Sequence, residues 1–208
     1  MIGKEKFYNA LAEGSMDKMK ELTQNALNAG EAAEKILKDG LIPAMDQIGV
    51  RFRNNEIFIP EVLIAARAMH AGLGVLKPIL AKSGTSTTTK IVLGTVKGDL
   101  HDIGKNLVGM MLEGAGFEVV DLGIDVPPEK FIQSVKESGA EVIGMSALLT
   151  TTMMQMKSTV EKIKAEGIKV KTVIGGAPVT AEFAQQIGAD GYALDAASAV
   201  STIKEVLK

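Results

Sequence analysis

The feature that most constrains this chain is a change of hydrophobic period near residue 82. Before it, Leu41, Met45, Ile48 and Phe52 are spaced four, three and four residues apart. Val62, Ala66, Met69, Leu73, Leu76 and Leu80 continue at four, three, four, three and four. That spacing lays one apolar stripe along a helix. Segments 3–12 and 15–28 read as shorter helices, with Gly30 and Gly40 as breaks. Asn54-Asn55 reads as a turn, and Pro60 suits the first turn of the next helix, where its missing N–H costs little. After residue 90, short apolar runs at 91–96, 117–122, 142–147, 170–175 and 191–194 alternate with helical stretches. One such stretch carries Leu107, Val108, Met111 and Leu112, and another Met153, Met156, Val160 and Ile163. The polar run Lys82–Lys90 between the two styles has no period and suits a linker.

The expected organisation is therefore an all-α bundle of four to five helices over 1–82, a linker at 83–89, and an α/β domain over 90–208. Five alternations of strand and helix imply a parallel sheet covered on both faces. Its expected strand order is 2-1-3-4-5, the flavodoxin-like, Rossmann-like arrangement. Right-handed crossovers place every strand-to-helix loop on one edge, and ligands bind there, near the reversal of strand order.

The loop after the first strand, Lys97-Gly98-Asp99-Leu100-His101-Asp102-Ile103-Gly104, puts two carboxylates, an imidazole and two glycines on that edge. In an extended segment Asp99 and His101 point the same way. The carboxylate can then hold one ring nitrogen and leave the other as a ligand or base. Asp102 reads as a cap for the next helix. His70, beside Met69 on a helix stripe, reads as a packing or surface residue. On the third loop Ser146 ends the strand, and at least one of Thr150, Thr151 and Thr152 is expected to cap the following helix. Gly175-Gly176 permits either an unusual backbone angle or close approach of a ligand. Asp195-Ala196-Ala197-Ser198 offers small residues and a cap.

Several chemistries are excluded. The chain has no cysteine, which removes thiolate metal sites, disulfides and thiol catalysis. Its two histidines do not supply a multi-histidine metal site. A net charge of −2 gives no nucleic-acid footprint. Neither GxGxxG nor GxxxxGK[ST] follows the first strand. A phosphorelay receiver would end its third strand in a carboxylate, where this chain has Ser146 and Ala147. No apolar run is expected to reach the roughly 20 residues that cross a bilayer, and the first residues lack the basic-then-apolar pattern of a signal peptide. A cytoplasmic protein with neither nucleic acid nor membrane as partner is expected.

The run Gly98-Asp99-Leu100-His101-Asp102-Ile103-Gly104-Lys105-Asn106 resembles the cobalamin-binding motif DxHxxG in its methyl-transfer version. Asp121-Leu122-Gly123 with Val126-Pro127, Ser146 with Thr150, and Gly175-Gly176 match the later pieces in order. The helical half, with Phe52 and Phe58-Ile59-Pro60, resembles the cap that precedes the cobalamin domain of methionine synthase. Free-standing chains of these two domains resemble corrinoid proteins of anaerobic methyltransferase systems, which serve methanol, methylamines, betaines or methoxylated aromatics.

The resemblance implies cobalamin or a related corrinoid, carried as methylcobalamin, with His101 as the lower ligand of cobalt. It implies Asp99 and Thr152 as catalytic companions of His101; methionine synthase has serine where this chain has Thr152. Gly98, Leu100, Asp102, Ile103 and Gly104 complete the cofactor loop. Ser146, Leu148, Thr150, Gly175, Gly176 and the backbone of Ala196 would border the displaced nucleotide tail. Phe52, Ile59 and Val62 match cap positions over the methyl-bearing face, where the family often has leucine in place of Ile59. The implied partners are a substrate-specific methyltransferase, a second methyltransferase to tetrahydrofolate or a thiol such as coenzyme M, and a reductive activator. The chain itself would be a carrier that does not turn over substrate alone. Two other readings are a small subunit of an adenosylcobalamin mutase, which normally lacks the helical cap, and a metal hydrolase using Asp99, His101 and Asp102.

Overall fold

The computed structural model describes residues 3–82 and 89–208, so the expected linker lies outside the described residues except for Thr89. Two compact units result: the helices up to Lys82 with residues 113–116, and the remainder from Thr89 onward.

The first unit holds α1 (Lys4–Ala12), α2 (Met16–Asn28), α3 (Ala33–Ile36), α4 (Ile42–Arg53) and α5 (Ile59–Lys82). Ser15 caps α2 by accepting from the Lys18 N–H at 3.4 Å. Asn55, at φ +57°, turns the chain between α4 and α5. Gly40 does not break the chain. Residues Leu37–Leu41 form a π-helical turn that joins α3 to α4. Pro43 supplies the reason: it has no N–H to give and its ring crowds the preceding turn, which a wider turn relieves. The core gathers Leu11, Met19, Ile36, Leu41, Met45, Ile48, Met69 and Leu76, all fully or almost fully buried. Gly72 lets α5 lie close to α2, since a Cβ there would stand 2.9 Å from both Met19 Cγ and Leu41 Cδ2.

The expectation that no apolar run reaches spanning length is overturned by α5. Ile59–Leu80 is a 22-residue stretch of mean hydropathy 1.4, long and apolar enough to cross a membrane. Half of it is buried in the fold, which is the setting of a core helix.

The second unit is a five-stranded parallel sheet in the order β2-β1-β3-β4-β5. Its strands are β1 (Lys90–Thr95), β2 (Glu118–Asp121), β3 (Val142–Ser146), β4 (Lys171–Gly175) and β5 (Gly191–Ala193). Its helices are α6 (Ile103–Gly114), α7 (Pro128–Ser138), α8 (Met154–Ala165), α9 (Ala181–Ile187) and α10 (Ala196–Val206). Asp195 and Ser198 form a reciprocal capping box at the start of α10.

The two faces of the sheet are filled differently. On one, Val92, Ile143, Met145 and Ile174 pack with Phe131, Val135, Val160, Ile163 and Ile187 of α7, α8 and α9. On the other, Leu93, Gly144 and Val173 look toward α6 and α10 across a cavity instead of a filled core. Alternation along each strand separates the two sets. Phe131, with no exposed surface, centres the filled face. Phe131→Ala should cost about 3–5 kcal/mol, read from urea unfolding; a loss below about 1 kcal/mol would contradict this account of the core.

Candidate functional site

The loop from β1 to α6 turns sharply at Gly98, whose φ is +81°. The Gly98 N–H donates to Asp125 Oδ1 at 2.7 Å, and the Asp125 N–H donates to the Asp99 carbonyl at 3.0 Å. Asp125 itself sits at φ +53°, an uncommon conformation for a residue with a Cβ. This turn drives Asp99 fully inside, while the His101 side chain stays half exposed.

Asp99 is the hub. Its Oδ1 accepts from the ring Nδ1 of His101 at 2.7 Å and from the His101 N–H at 3.1 Å. Its Oδ2 accepts from the Leu148 N–H at 2.8 Å, the Leu149 N–H at 3.3 Å and the Thr152 hydroxyl at 2.6 Å. Burial by itself would raise the carboxyl pKa; the bonds from Thr152, Leu148 and His101 outweigh it and hold the group well below the usual carboxylate range. An ionised carboxylate only accepts, so Nδ1 of His101 donates to it, and Nε2 is the ring nitrogen that faces away from Asp99.

The threonines depart from expectation. Helix α8 begins after Met153 without a side-chain cap. Thr152, the buried one, points its hydroxyl at Asp99, with the Leu149 carbonyl a second acceptor at 2.9 Å. Thr150 and Thr151 are exposed. Asp102 precedes α6: its carbonyl accepts the Asn106 N–H at 2.7 Å and its carboxylate the Asn106 side-chain amide at 3.0 Å.

His101 stands at the mouth of a cavity of about 340 Å³ that runs along the α6 and α10 face of the sheet. Gly104, Ser146, Leu148, Gly175, Gly176 and Ala196 of the expected set also line it. Small residues create the space. Gly144 lies mid-strand, where a Cβ would reach 2.8 Å from Leu93 Cδ1. Gly176, at φ +128°, passes so near the next loop that a Cβ would fall 1.9 Å from the Ala147 carbonyl oxygen, so no other residue fits. Around the mouth, Leu100, Ile103 and Leu194 are 67%, 79% and 76% exposed, an apolar rim beside the imidazole.

Gly98, Asp99, Leu100, Asp102, Ile103 and Thr150 lie on the same loop edge without lining the cavity. In the helical unit, Phe52 is half-buried on α4, Ile59 is exposed at the start of α5, and Val62 is fully buried. Sequence reasoning missed three residues. Asp125 holds the Gly98 turn. Thr95 is buried beneath His101 and donates to its carbonyl at 2.8 Å. Lys105, almost fully buried, ties α6 to the end of β2 through Asp121 at 2.5 Å and bonds Asn106 at 2.7 Å. The Asp121–Lys105 spacing carried no signal, because the two meet only when α6 and β2 are packed. Among the described residues, no cluster of three or more His, Asp or Glu side chains could hold a metal ion.

A histidine whose rear nitrogen is fixed by a buried carboxylate, set beside a glycine-lined slot at the edge of a 2-1-3-4-5 sheet, defines a ligand-binding α/β protein with its site at the loop edge of the strands. The comparisons agree. A B12 binding domain family matches residues 89–201, and a second B12 binding domain family matches residues 4–77. A corrinoid protein of Desulfitobacterium hafniense is 40% identical over 95% of this chain and 94% of its own. Dimethylamine corrinoid protein 1 of Methanosarcina mazei is 44% identical over 100% of this chain and 99% of its own. The crystal structure of a cobalamin-binding protein from Desulfitobacterium hafniense superposes with a TM-score of 0.83 at 35% identity, covering 100% of both chains. The methanol:cobalamin methyltransferase complex of Methanosarcina barkeri gives 0.84 at 32% identity, over 97% of this chain and 78% of that one. The chain belongs to the B12-binding corrinoid protein family.

Because folding lowers the Asp99 carboxyl pKa, its ionised form adds stability in full above the ordinary value near 4. That contribution is lost as pH falls toward the lower folded value. Asp99→Asn should therefore be less stable than the parent by roughly 1–3 kcal/mol at neutral pH. Urea unfolding repeated from pH 7 to pH 3 should show the gap narrowing below about pH 4; a gap unchanged across the range would count against this role.

Proposed function

We propose that this chain holds a corrinoid with His101 Nε2 as the lower ligand of cobalt and carries a methyl group between two methyltransferases. The carrying observation is the 2.7 Å bond from His101 Nδ1 to Asp99 at the mouth of the slot. The residues present fit the group. The imidazole offers one free lone pair, the slot is walled by glycine and alanine, and the rim can cover an apolar macrocycle. When bound, the cobalt supplies the chemistry, accepting and returning a methyl group.

The chain's residues orient and shield. His101 is turned toward the rim by a carboxylate that stays ionised. The Thr152 hydroxyl, 2.6 Å from Asp99, helps keep that carboxylate in place, and through it would set the orientation and donor strength of the imidazole toward a bound metal. Gly98, Leu100, Asp102, Ile103 and Gly104 shape the loop under the ring. Ser146, Leu148, Thr150, Gly175, Gly176 and Ala196 border the nucleotide tail. By the family resemblance, Phe52, Ile59 and Val62 are the cap residues that would shield the methyl-bearing face.

The relatives named for dimethylamine and methanol support a donor of the simple methylamine or methanol kind. A donor-specific methyltransferase would load the carrier. A second, using tetrahydrofolate or a thiol such as coenzyme M, would unload it, and a reductive activator would rescue oxidised cobalt. Residues 1–82 and 90–208 act as cap and cofactor domain, and the cytoplasm is the setting.

Purified protein loaded with cobalamin should bind one equivalent and show an imidazole-ligated visible spectrum. His101→Ala should keep the fold and lose those bands. An unchanged cobalt ligand spectrum in His101→Ala would overturn the assignment. Labelled methyl groups from dimethylamine or methanol should reach the loaded protein only when the matching methyltransferase is added.

A further inference from the structure

Thr95 lies under the site and takes no part in the chemistry above, yet it touches both halves of it. It ends β1 with no exposed surface and pairs in register with Ser146 at the end of β3. Its Oγ1 is 2.8 Å from the His101 carbonyl oxygen and 2.9 Å from Ser146 Oγ. A threonine hydroxyl has one proton, and a carbonyl can only accept. The Thr95 proton therefore goes to His101, and Ser146 donates to Thr95. The result is a directed chain from the Ser146 hydroxyl, through the Thr95 hydroxyl, to the His101 backbone. Its outer end, Ser146, lines the slot, and its inner end is the residue at the slot's mouth.

We infer that Thr95 is a positioning residue that couples occupancy of the slot to ligation by His101. The inference rests on the reading of His101 as the cobalt ligand. A group in the slot that donates to Ser146 polarises each link and strengthens the bond to the His101 carbonyl. A group that takes the Ser146 proton removes the first link and weakens the second. In either case the His101 loop feels what the slot holds, across two hydroxyls and no change of fold. Phe, Val or Ala at this position would fill or empty the space but break the line; serine would keep it.

The test compares cobalamin, which has the nucleotide tail, with cobinamide, which lacks it. Two quantities are read for each: the dissociation constant, and the fraction of bound corrinoid with imidazole below cobalt, from the visible spectrum at one pH. In the parent protein the imidazole-ligated fraction should differ between the two corrinoids. In Thr95→Val the difference in ligated fraction should vanish and the affinity ratio should change by roughly fivefold, the worth of one net hydrogen bond. Thr95→Ser should restore both. If Thr95→Val does not fold, Thr95→Ala, which adds no bulk, carries the same expectation. A purely structural Thr95 would weaken both corrinoids by the same factor and leave ratio and ligated fractions as in the parent; that result overturns the inference. So does a parent protein whose imidazole ligation is identical with and without the tail. A parent that binds cobalamin with no imidazole-ligated spectrum at all would instead overturn the reading of His101.

Discussion

The buried carboxylate of Asp99 is the interaction around which the cofactor unit is arranged. An ionised carboxylate taken out of water must find several donors, because its desolvation is worth several kcal/mol. Here five hydrogen bonds answer it, two from His101 and three from the loop after β3. One side chain thus ties two loops that are about 50 residues apart in sequence. The same bonds fix the imidazole tautomer and orientation. Structural need and ligand chemistry are met by one group, so a change at Asp99 reaches both.

The asymmetry of the sheet is the second organising fact. One face is filled with large apolar side chains around Phe131. The other replaces them with Gly144, Gly175 and Ala193, leaving space between the sheet and two helices. A void of that kind in an ordinary core would cost stability through lost contacts. Placed against the switch point of the strand order, it is a site. The family relationship gives the chain a corrinoid cofactor, and the proposed function places it against this space. His101 lines this space, and Leu100, Ile103 and Leu194 are exposed apolar side chains on the same loop edge.

The helical unit shows how local rules are overridden in detail without loss of the pattern. Its stripes at three- and four-residue spacing gave helices of the expected extent, and Asn55 turned the chain where the Asn54-Asn55 pair stands. Gly40 became part of a π turn, since Pro43 needed a wider turn more than the glycine needed a break. Helix α5 reaches bilayer-spanning length and apolarity while half of that stretch is buried in the bundle.

What the sequence determined by itself is what depends on neighbours along the chain. Periodicity placed helices and strands, alternation implied a parallel sheet, and the loop Gly98–Gly104 announced a histidine beside carboxylates. The Asp195 capping box was equally local. Only the tertiary structure decided what the polar groups do with one another. None of Thr150, Thr151 and Thr152 caps α8, and Thr152 gives its hydroxyl instead to the buried Asp99 carboxylate, since a charged acceptor makes the stronger hydrogen bond. Lys105 with Asp121, Asp125 with Gly98, and Thr95 with Ser146 meet across strands and loops. Hydrogen bonds act over about 3 Å, and sequence separation says nothing of which groups folding will bring that close.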